Sequence, residues 1–526
     1  MKDALGRSEK SGAEVGKNNA SPVIRLHAND DVVIARHQLL PKTWIADENI
    51  AVSSLIPAGH KIATKRIAAG EPVHRYNQII GVAKSDIEVG QHVHTHNLAM
   101  TEFDRDYAYC ADAAPTDYFP QPATFMGIVR PDGRVATRNY IGILTSVNCS
   151  ATVARAIADH FRRDIHPDAL AAYPKVDGVV ALTHGGGCAI DPEGEGIAIL
   201  RRTLAGYARH ANFASLLIVG LGCEANQIGG IVQAHDLSVQ SRLRTFTIQE
   251  TGGTAKSIAK GIELVGEMLA SADAVKREPV AASHLVVGMQ CGGSDGYSGI
   301  SANPALGAAV DLLVRNGGTA ILSETPEIYG AEHLLTRRAE SRAVGEKLIK
   351  RIEWWTSFCQ RNNAELDNNP SAGNKAGGLT TVLEKSLGGV AKAGTTNMVD
   401  VYEYAEPVTA KGFVFMDTPG FDPISTTGQV AGGANLMCFT TGRGSAYGCV
   451  PSPSLKLATN SALWHRQEED IDINCGEVID GTATVDQIGG RLFQMMLDCA
   501  SGKKTKSELH GYGQNEFVPW QISVYT

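Results

Sequence analysis

Four apolar runs in this chain end in the same way, each in a loop that carries a cysteine. The runs are Ile141 to Val147, Val176 to Leu182, Leu216 to Leu221 and Leu285 to Met289, followed by Cys149, Cys188, Cys223 and Cys291. The stretches between them have helical periodicity, and this alternation predicts an α/β region with mainly parallel sheets. Parallel strands place their carboxyl ends at one edge of a sheet. If the four strands share one sheet, we expect the four cysteines to cluster there.

The segment from His284 to Pro304 contains the highest density of candidate functional residues. Gly292 and Gly293 follow the cysteine directly, and glycines at that place let backbone N–H groups approach a ligand closely. Ser294 and Asp295 add polar groups to the same turn. A buried structural cysteine is the alternative, because free cysteine is among the most buried residue types. The repetition of the strand-to-cysteine pattern favours a ligand site.

Length, charge and cysteine usage restrict the class of protein. At 526 residues the chain is too long for one hydrophobic core, and we expect about two to four domains. The formal net charge of -8, without a dense lysine and arginine block, argues against nucleic-acid binding and favours a small-molecule partner. No uncharged apolar run reaches about 18 residues, so we expect no membrane span, and the N-terminus lacks the apolar core of a signal peptide. Ten widely spaced cysteines are not typical of a secreted disulfide framework, so we expect a cytoplasmic protein.

Changes in composition and in hydrophobic pattern divide the chain into five segments. They are a disordered tail over 1–22, a small β-rich domain over 23–97, a linker over 98–125, an α/β domain over 126–365 and a C-terminal α/β domain over 366–526. The last two segments are compatible with two stacked α/β units. Because small domains on long linkers often close over a site, we expect the β-rich domain to act as a lid.

A row of histidines ends the β-rich segment. His92, His94 and His96 alternate along the chain, and in a strand all three project from one face. His60 ends a short apolar run and can share that face. Such a row can bind a metal or an anionic substrate, whereas the alternative is a solvated edge strand.

Thiolates in the strand-end loops suggest iron. Cys188, Cys223 and Cys291 could hold a single ion or an iron–sulfur cluster, with Cys149 as a fourth ligand or a structural thiol. An iron with an open position is a Lewis acid that can turn a hydroxyl into a leaving group. Lys375 and Arg443 stand in Gly-rich loops and could bind a carboxylate. Neither a P-loop nor a dinucleotide fingerprint is present.

Five motifs carry a family resemblance. They are THGGGC (183 to 188), GLGCEANQ (220 to 227), CGGSDGYSGISANPALG (291 to 307), NPSAGNKAGGLTTVLEKSLG (369 to 388) and TTGRGSAYG (440 to 448). Together they resemble the altronate and galactarate dehydratases over essentially the whole chain beyond the tail, and the β-rich segment looks like the SAF domain of that family. One departure is Ala372, where the family usually has proline.

The resemblance implies an iron(II)-dependent lyase that removes water from a sugar acid. Within the family, GQHVHTHN (90 to 97) and ETPEIYGAEHLL (324 to 335) look more like the altronate enzyme, which implies D-altronate as substrate and 2-dehydro-3-deoxy-D-gluconate as product. Galactarate dehydratase and sulfolactate sulfo-lyase are the alternatives among enzymes, and a sugar-acid binding protein is the alternative outside them. We also expect a homo-oligomer.

The roles expected of single residues follow from both arguments. A base must take the proton next to the substrate carboxylate, and the resulting negative charge needs a cation or strong donors. The catalytic candidates are His184, Glu224, Asp295 and His94. The candidates for binding the substrate are Ser294, Asn303, Asn374, Lys375, Arg443, His60, His92 and His96. The candidate metal ligands are Cys188, Cys223, Cys291 and Cys149.

Overall fold

The computed structural model describes residues 21–103, 105–235, 237 and 242–522. Of the tail expected over 1–22, all but the last two residues lie outside this range. Within it, every helix is too short or too polar to cross a bilayer.

The N-terminal domain is built from short antiparallel strands. They are β1 (Val23–Ile24), β2 (Val32–Ala35), β3 (Trp44–Ile45), β4 (Ile50–Ala51), β5 (Lys61–Ala63), β6 (Pro72–Arg75), β7 (Gln78–Ala83), β8 (His92–Val93) and β9 (Leu98–Ala99). They form sheets in the orders β1-β2-β5-β8, β6-β7-β9 and β3-β4. Buried β-branched residues such as Val33 and Ile62 pair across β2 and β5 and fill the core. The β-rich domain predicted from the sequence is confirmed.

The second domain contains a four-stranded parallel sheet. Its elements are β10 (Thr124–Val129), β11 (Val135–Ala136), β12 (Tyr140–Thr145), α1 (Ala151–His160), β13 (Gly178–Leu182), α2 (Glu195–Arg209), β14 (Phe213–Gly220), α3 (Ile228–Ala234), β15 (Leu243–Thr247), α4 (Ile248–Thr251), α5 (Thr254–Asp273) and β16 (Arg277–Ala281). The parallel sheet has the order β13-β12-β14-β15, and β11-β10-β16 form a separate antiparallel sheet. The first strand, β12, therefore has β13 on one side and β14 and β15 on the other, so the chain changes direction in the sheet at β12.

The C-terminal domain contains a seven-stranded parallel sheet. Its strands are β17 (Val286–Cys291), β18 (Thr319–Leu322), β19 (Met398–Tyr402), β20 (Gly412–Met416), β21 (Leu436–Thr441), β22 (Ser454–Ala458) and β23 (Ile473–Asn474). Its helices are α6 (Ala302–Arg315), α7 (His333–Thr336), α8 (Arg342–Arg361), α9 (Ala372–Ala376), α10 (Val382–Val390), α11 (Asp422–Ala431), α12 (Ser461–Arg466), α13 (Glu477–Asp480), α14 (Val485–Ala500) and α15 (Lys506–Leu509). The order is β19-β20-β18-β17-β21-β22-β23, so the parallel α/β architecture predicted from the sequence is confirmed.

The expectation that all four cysteine-bearing strands share one sheet is wrong. The strand that ends at Cys291 pairs with β18 and β21, whereas β12, β13 and β14 form the other sheet. The strand–loop–helix pattern repeats in the sequence, but the pattern does not indicate which sheet each strand joins. The boundary expected between 365 and 366 falls inside the seven-stranded sheet, which takes β17 and β18 from before it and five strands from after it.

The two parallel sheets open on the same side of the molecule. At their amino ends, Thr137 Oγ1 donates to Asn435 O at 2.7 Å and His210 Nε2 lies 2.9 Å from Ala434 O. Helices α2 and α11 contact each other, and one hydrophobic cluster holds both Ile218 of β14 and Phe439 of β21. With the amino ends joined and the helices packed between the sheets, both carboxyl edges face one way.

The segment expected to be a linker runs along the C-terminal domain. Its backbone N–H groups at Cys110, Asp112 and Phe119 donate to carbonyl oxygens at Thr336, Arg337 and Arg315 over 2.8 to 3.1 Å. These bonds position the chain between the β-rich domain and the second domain.

A buried ion triad fastens the N-terminal domain to helix α10. Lys61 Nζ lies 2.9 Å from both carboxylate oxygens of Glu384, and Arg75 donates to the same carboxylate. All three side chains are fully buried. Burial alone raises the pKa of Glu384, but the charges of Lys61 and Arg75 outweigh it and lower that pKa to about 2. The carboxylate is therefore ionised at neutral pH and balances two buried cations.

We predict that Glu384→Gln lowers the free energy of unfolding by about 3–5 kcal/mol at pH 7, because two buried cations lose their counter-charge. A carboxyl whose pKa is lowered on folding contributes stability that is complete above its unfolded pKa, near 4.5, and is lost as the pH falls through about 2. The difference between variant and wild type should therefore narrow below pH 4.5 in urea titrations. Asp86→Asn, which breaks an exposed pair with Arg66, is the control and should change little. Equal effects of both variants would contradict the prediction.

Candidate active site

The carboxyl ends of β17 and β21 form the switch point of the seven-stranded sheet. The first strand is β17, the next strands β18 to β20 lie on one side of it, and β21 to β23 lie on the other. Gly442 and Arg443 donate their backbone N–H groups to Gly293 O at 3.0 and 2.9 Å, which joins the two loops. Gly292 is required here because a Cβ at this position would lie 2.5 Å from Asp422 Oδ2. Ligands of open α/β sheets bind at such a crevice.

A buried cluster of charged groups lies at this edge. Lys392 Nζ donates to Cys291 Sγ at 2.9 Å and lies 3.4 Å from Glu324 Oε2. Cys291 Sγ is 3.4 Å from Glu327 Oε2, and Lys385 Nζ is 2.7 Å from Glu327 Oε1. The side chains come from the ends of β17 and β18 and from α10 and the turn after it, and all five are buried.

The two glutamates of the cluster have pKa shifts of opposite sign. Burial and the neighbouring charge of Glu327 raise the pKa of Glu324 well above its ordinary value. Burial also acts to raise the pKa of Glu327, but the ammonium groups of Lys385 and Lys392 outweigh it and lower that pKa. A neutral acid beside an ionised base is the arrangement that acid–base catalysis requires. Glu324 Oε1 is buried without a partner among the described residues, which leaves an acceptor position for a ligand.

An arginine-lined cleft lies between the N-terminal domain and the ends of β21 and β22. It has a volume of about 370 Å³, and Arg36, Arg443 and Arg466 line it together with Asn460 and Ser461. In the part of the chain that the structure describes, none of the three guanidinium groups pairs with a carboxylate. Asp295 and Asp480 also line the cleft, but Thr459 and Ser461 donate hydrogen bonds to them, and the three guanidinium groups outnumber them. Guanidinium groups bind carboxylates with two parallel hydrogen bonds, so the cleft suits an anionic ligand.

The histidines of the N-terminal domain form a cluster. Strand β8 ends at Val93, and the chain turns through residues 94–97, yet the ring centroids of His60, His92 and His94 lie 4.9 to 5.3 Å apart. The exposed His96 ring lies 5.5 Å from that of His92. Burial, and after it the neighbouring rings, lowers the pKa of His92 to about 3. Burial, and after it the charge of Lys61, lowers the pKa of His94 to about 4. His92 and His94 are therefore neutral at physiological pH.

One segment, residues 369–378, contacts all three of these places. At its start, Asn369 donates to Glu327 Oε1 at 2.7 Å and accepts from Lys385 Nζ at 2.8 Å. At its end, Ala376 O lies 3.3 Å from His60 Nε2, and Ala376 also lines the arginine cleft. Lys375 is half-buried within the segment. The NPSAGNKAGG motif therefore connects the acid pair, the cleft and the histidines.

Three exposed cysteines lie at the carboxyl edge of the four-stranded sheet. Cys149, Cys188 and Cys223 stand in loops joined by backbone hydrogen bonds of 3.0 Å, from Asn148 N to Gly186 O and from Asn226 N to Gly187 O. Gly187 has φ +100°, and a Cβ there would lie 2.3 Å from Ser146 O. The glycine before Cys188 thus allows the loops to approach each other. We call these three residues the thiol edge.

Several residues predicted for the site hold the loops in place. His184 Nε2 lies 2.9 Å from Thr145 O, and its Nδ1 accepts from Gly186 N at 3.2 Å. Glu224 accepts hydrogen bonds from Ser146, Leu221 N and Gly222 N, and Asp295 accepts them from Tyr297 N, Ser298, Thr459 and Asn460. Asn303 donates to Gly388 O and accepts from Thr440. Asn374 Nδ2 donates to Ser294 O. Their polar atoms are occupied within the protein.

Sequence reasoning missed Lys392, Asp422, Arg36 and Arg466. Asp422 lies against Gly292, and burial, followed by the charge of Glu327, raises the pKa of its carboxyl to about 7. The rule that ligands meet strand ends applies to Glu324 and Glu327, which directly follow β18. The other four stand in helices and turns without a distinctive local pattern.

Comparison with known families covers nearly the whole chain. The model described as "D-galactarate/Altronate dehydratase, C-terminal" matches residues 282–525, "D-galactarate dehydratase/Altronate hydrolase, second domain" matches 127–273, and "Altronate/galactarate dehydratase SAF domain" matches 21–101. Altronate dehydratase of Escherichia coli (strain K12) is 34% identical over 93% of this chain and 97% of its own length. Altronate dehydratase of Bacillus subtilis (strain 168) is 32% identical over the same shares. Galactarate dehydratase (L-threo-forming) of Escherichia coli (strain K12) is 36% identical over 91% of this chain and 93% of its own length.

We predict that iodoacetamide labels Cys149, Cys188 and Cys223 in the native, metal-free protein, because their thiols are exposed. Cys291 should stay unlabelled until the protein is denatured, since it is buried and burial raises its pKa to about 12, even though Lys392 opposes the shift. Peptide mass spectrometry measures both, with the buried Cys438 as the control. Labelling of Cys291 at the rate of the thiol edge would contradict this placement.

Proposed function

The chain belongs to the D-galactarate and altronate dehydratase family, and on that basis we propose that it removes water from D-altronate to give 2-dehydro-3-deoxy-D-gluconate. The observation that carries the proposal is the buried pair of Glu324 and Glu327, whose pKa values are shifted apart beside two lysines. The pair lies at the carboxyl edge of a parallel sheet, next to a cleft with unpaired arginines.

Binding places the carboxylate of the sugar acid at the arginines. Arg443 and Arg36 approach the cleft from opposite sides, from the loop after β21 and from the N-terminal domain. The hydroxyls then lie along residues 369–378, whose Asn369 contacts the acid pair. We place C2 and C3, the atoms nearest the carboxylate, between the arginines and Glu327, and the more distant hydroxyls along the segment.

Elimination needs one base and one acid. Glu327 is ionised and takes the proton from C2, which leaves the electron pair in the C2–C3 bond as the C3–O bond breaks. Glu324 is neutral and gives its proton to the departing C3 hydroxyl, which leaves as water. Lys385 and Lys392 lie at the acid pair and stabilise the negative charge that develops between C2 and C3 as the proton leaves. The enol product then tautomerises to the 2-keto acid, so atoms and charge balance.

Iron is the metal that the family resemblance implies. The ligand atoms of Cys291, Glu324 and Glu327 all lie within 4.8 Å of one another, but the ammonium of Lys392 lies 2.9 Å from that sulfur, so we assign iron to the exposed thiols of the thiol edge. Among the described residues, Cys149, Cys188 and Cys223 are not a group whose sulfur atoms all lie within 4.8 Å of one another. Three thiolates on one tetrahedral ion would lie roughly 3.8 Å apart, given a metal–sulfur distance near 2.3 Å. The three thiols therefore do not form a ready site for one tetrahedral ion, and we propose a cluster there. Bound there, a cluster with one iron free of cysteine would supply a Lewis acid for a substrate hydroxyl.

Cys291 no longer belongs to this proposed ligand set. Its sulfur lies 2.9 Å from the ammonium of Lys392, in the other sheet. We assign Cys291 to the acid pair, where its thiol shares contacts with Glu324 and Glu327.

Galactarate is a second candidate substrate. Galactarate carries a carboxylate at each end, and three arginines in one cleft exceed what a single carboxylate requires. The relative that acts on galactarate is about as similar to this chain as the two that act on altronate.

We predict that the anaerobically purified protein with iron(II) forms a 2-keto-3-deoxy acid from D-altronate. Parallel assays contain galactarate, sulfolactate, or no iron. Faster turnover of galactarate would favour the second candidate. Binding of the sugar acids without any keto-acid product would overturn the dehydratase proposal and leave a binding protein.

We predict that Glu327→Gln lowers kcat by roughly 10²- to 10⁴-fold, because it removes the base. Arg443→Ala should mainly raise KM, because it removes a carboxylate partner without touching the acid pair. Arg491→Ala removes an exposed arginine paired with Glu477 and is the matched control. An unchanged kcat in Glu327→Gln with normal iron content would exclude Glu327 as the base.

A further inference from the structure

The histidine cluster of the N-terminal domain has the donor set of a metal site that is separate from the thiol edge. One nitrogen of each of His60, His92 and His94 lies within 4.8 Å of the other two. The residues come from the turn before β5, from β8 and from the turn after β8. We propose that these three imidazoles bind a divalent transition-metal ion, of the class of Zn²⁺, Fe²⁺ or Co²⁺, at the contact between the N-terminal domain and residues 369–378.

His60 is oriented as a metal ligand. Its Nε2 faces Ala376 O at 3.3 Å and can donate only if it carries the proton. Nδ1 then carries a lone pair that faces His92 Nε2 at 2.9 Å, a hydrogen bond when His92 Nε2 is protonated and a contact that a shared metal ion would replace. Metal-bound histidines commonly donate their other nitrogen to a backbone carbonyl in this way. Two nitrogens about 2.05 Å from one tetrahedral ion lie roughly 3.3 Å apart, close to the spacing observed.

His94 provides a second, independent observation. Its Nδ1 is buried and has no hydrogen-bond partner among the described residues. A buried imidazole nitrogen without a partner costs free energy, and a bound cation would satisfy it.

The surrounding charges permit a dication. Lys61 is adjacent in sequence to His60, but both oxygens of Glu384 lie 2.9 Å from its ammonium and balance it. With three protein ligands the fourth position stays open for water, for an anion or for His96, whose ring is exposed 5.5 Å from that of His92. The ion would also fix His60 against Ala376, and so the N-terminal domain against the segment that contacts the acid pair.

The test uses full-length protein treated with a chelator and titrated anaerobically with Co²⁺. We expect visible d–d absorption from one imidazole-bound ion per chain, and zinc that displaces it. His94→Ala and His92→Ala should each weaken this binding by roughly 100-fold or more. His27→Ala, outside the cluster, is the matched control and should leave the spectrum unchanged.

Two further measurements separate this site from other effects. The triple variant Cys149→Ala, Cys188→Ala, Cys223→Ala should retain the imidazole spectrum, which distinguishes the site from the thiol edge whether or not the dehydratase proposal holds. Circular dichroism and thermal unfolding of His94→Ala and His92→Ala show whether a loss of binding reflects a loss of fold. Absence of the cobalt spectrum in the wild type, or its persistence in folded His94→Ala and His92→Ala, would overturn the proposal.

Discussion

Helix α10 carries the interaction on which the rest of the site depends, since two adjacent residues on it connect different parts of the molecule. Glu384 receives Lys61 and Arg75 from the N-terminal domain, and Lys385 binds Glu327 of the acid pair. Both interactions are buried, where a lost partner costs far more than at the surface. The position of the N-terminal domain and the ionisation of the acid pair are therefore coupled through one turn of helix. A displaced domain would leave Glu384 with no counter-charge.

The chain uses the same sheet-edge geometry twice, with different chemistry. In both parallel sheets the first strand lies between crossovers that diverge, and glycines in the loops at that edge, Gly187 and Gly292, allow the loops to approach closely. The four-stranded sheet presents exposed sulfur at this edge, whereas the seven-stranded sheet presents buried carboxylates and ammonium groups. The thiols and the acid–base groups therefore belong to different domains, although the carboxyl edges of both sheets face the same side of the molecule.

Strand and loop patterns in the sequence predict the architecture because they are local. Alternating strands and helices indicate parallel sheets, and the positions of Cys188 and Cys223 at strand ends follow from the same rule. The assignment of Cys291 to a different sheet depends on which neighbours β17 finds, and no local pattern encodes that choice. Lys392 joins the site only because the turn after α10 packs against α6 and β18. The sequence predicts catalytic roles for Asp295 and His184. The structure shows instead that their side chains form hydrogen bonds that hold their loops in place, which no sequence pattern indicates.

Charge balance in the buried cluster explains which state of the substrate it favours. Lys385 and Lys392 contribute two positive charges, and ionised Glu327 contributes one negative charge, while Glu324 is neutral. The cluster therefore has an excess of positive charge in a low-dielectric interior, where unbalanced charge is costly. As Glu327 takes the C2 proton it loses its charge, and Glu324 gains one as it gives its proton to the leaving hydroxyl. The net charge of the cluster is therefore the same before and after the elimination. The negative charge that moves through C2 and C3 lies next to two ammonium groups, so the cluster is better matched to the reacting state than to the bound substrate.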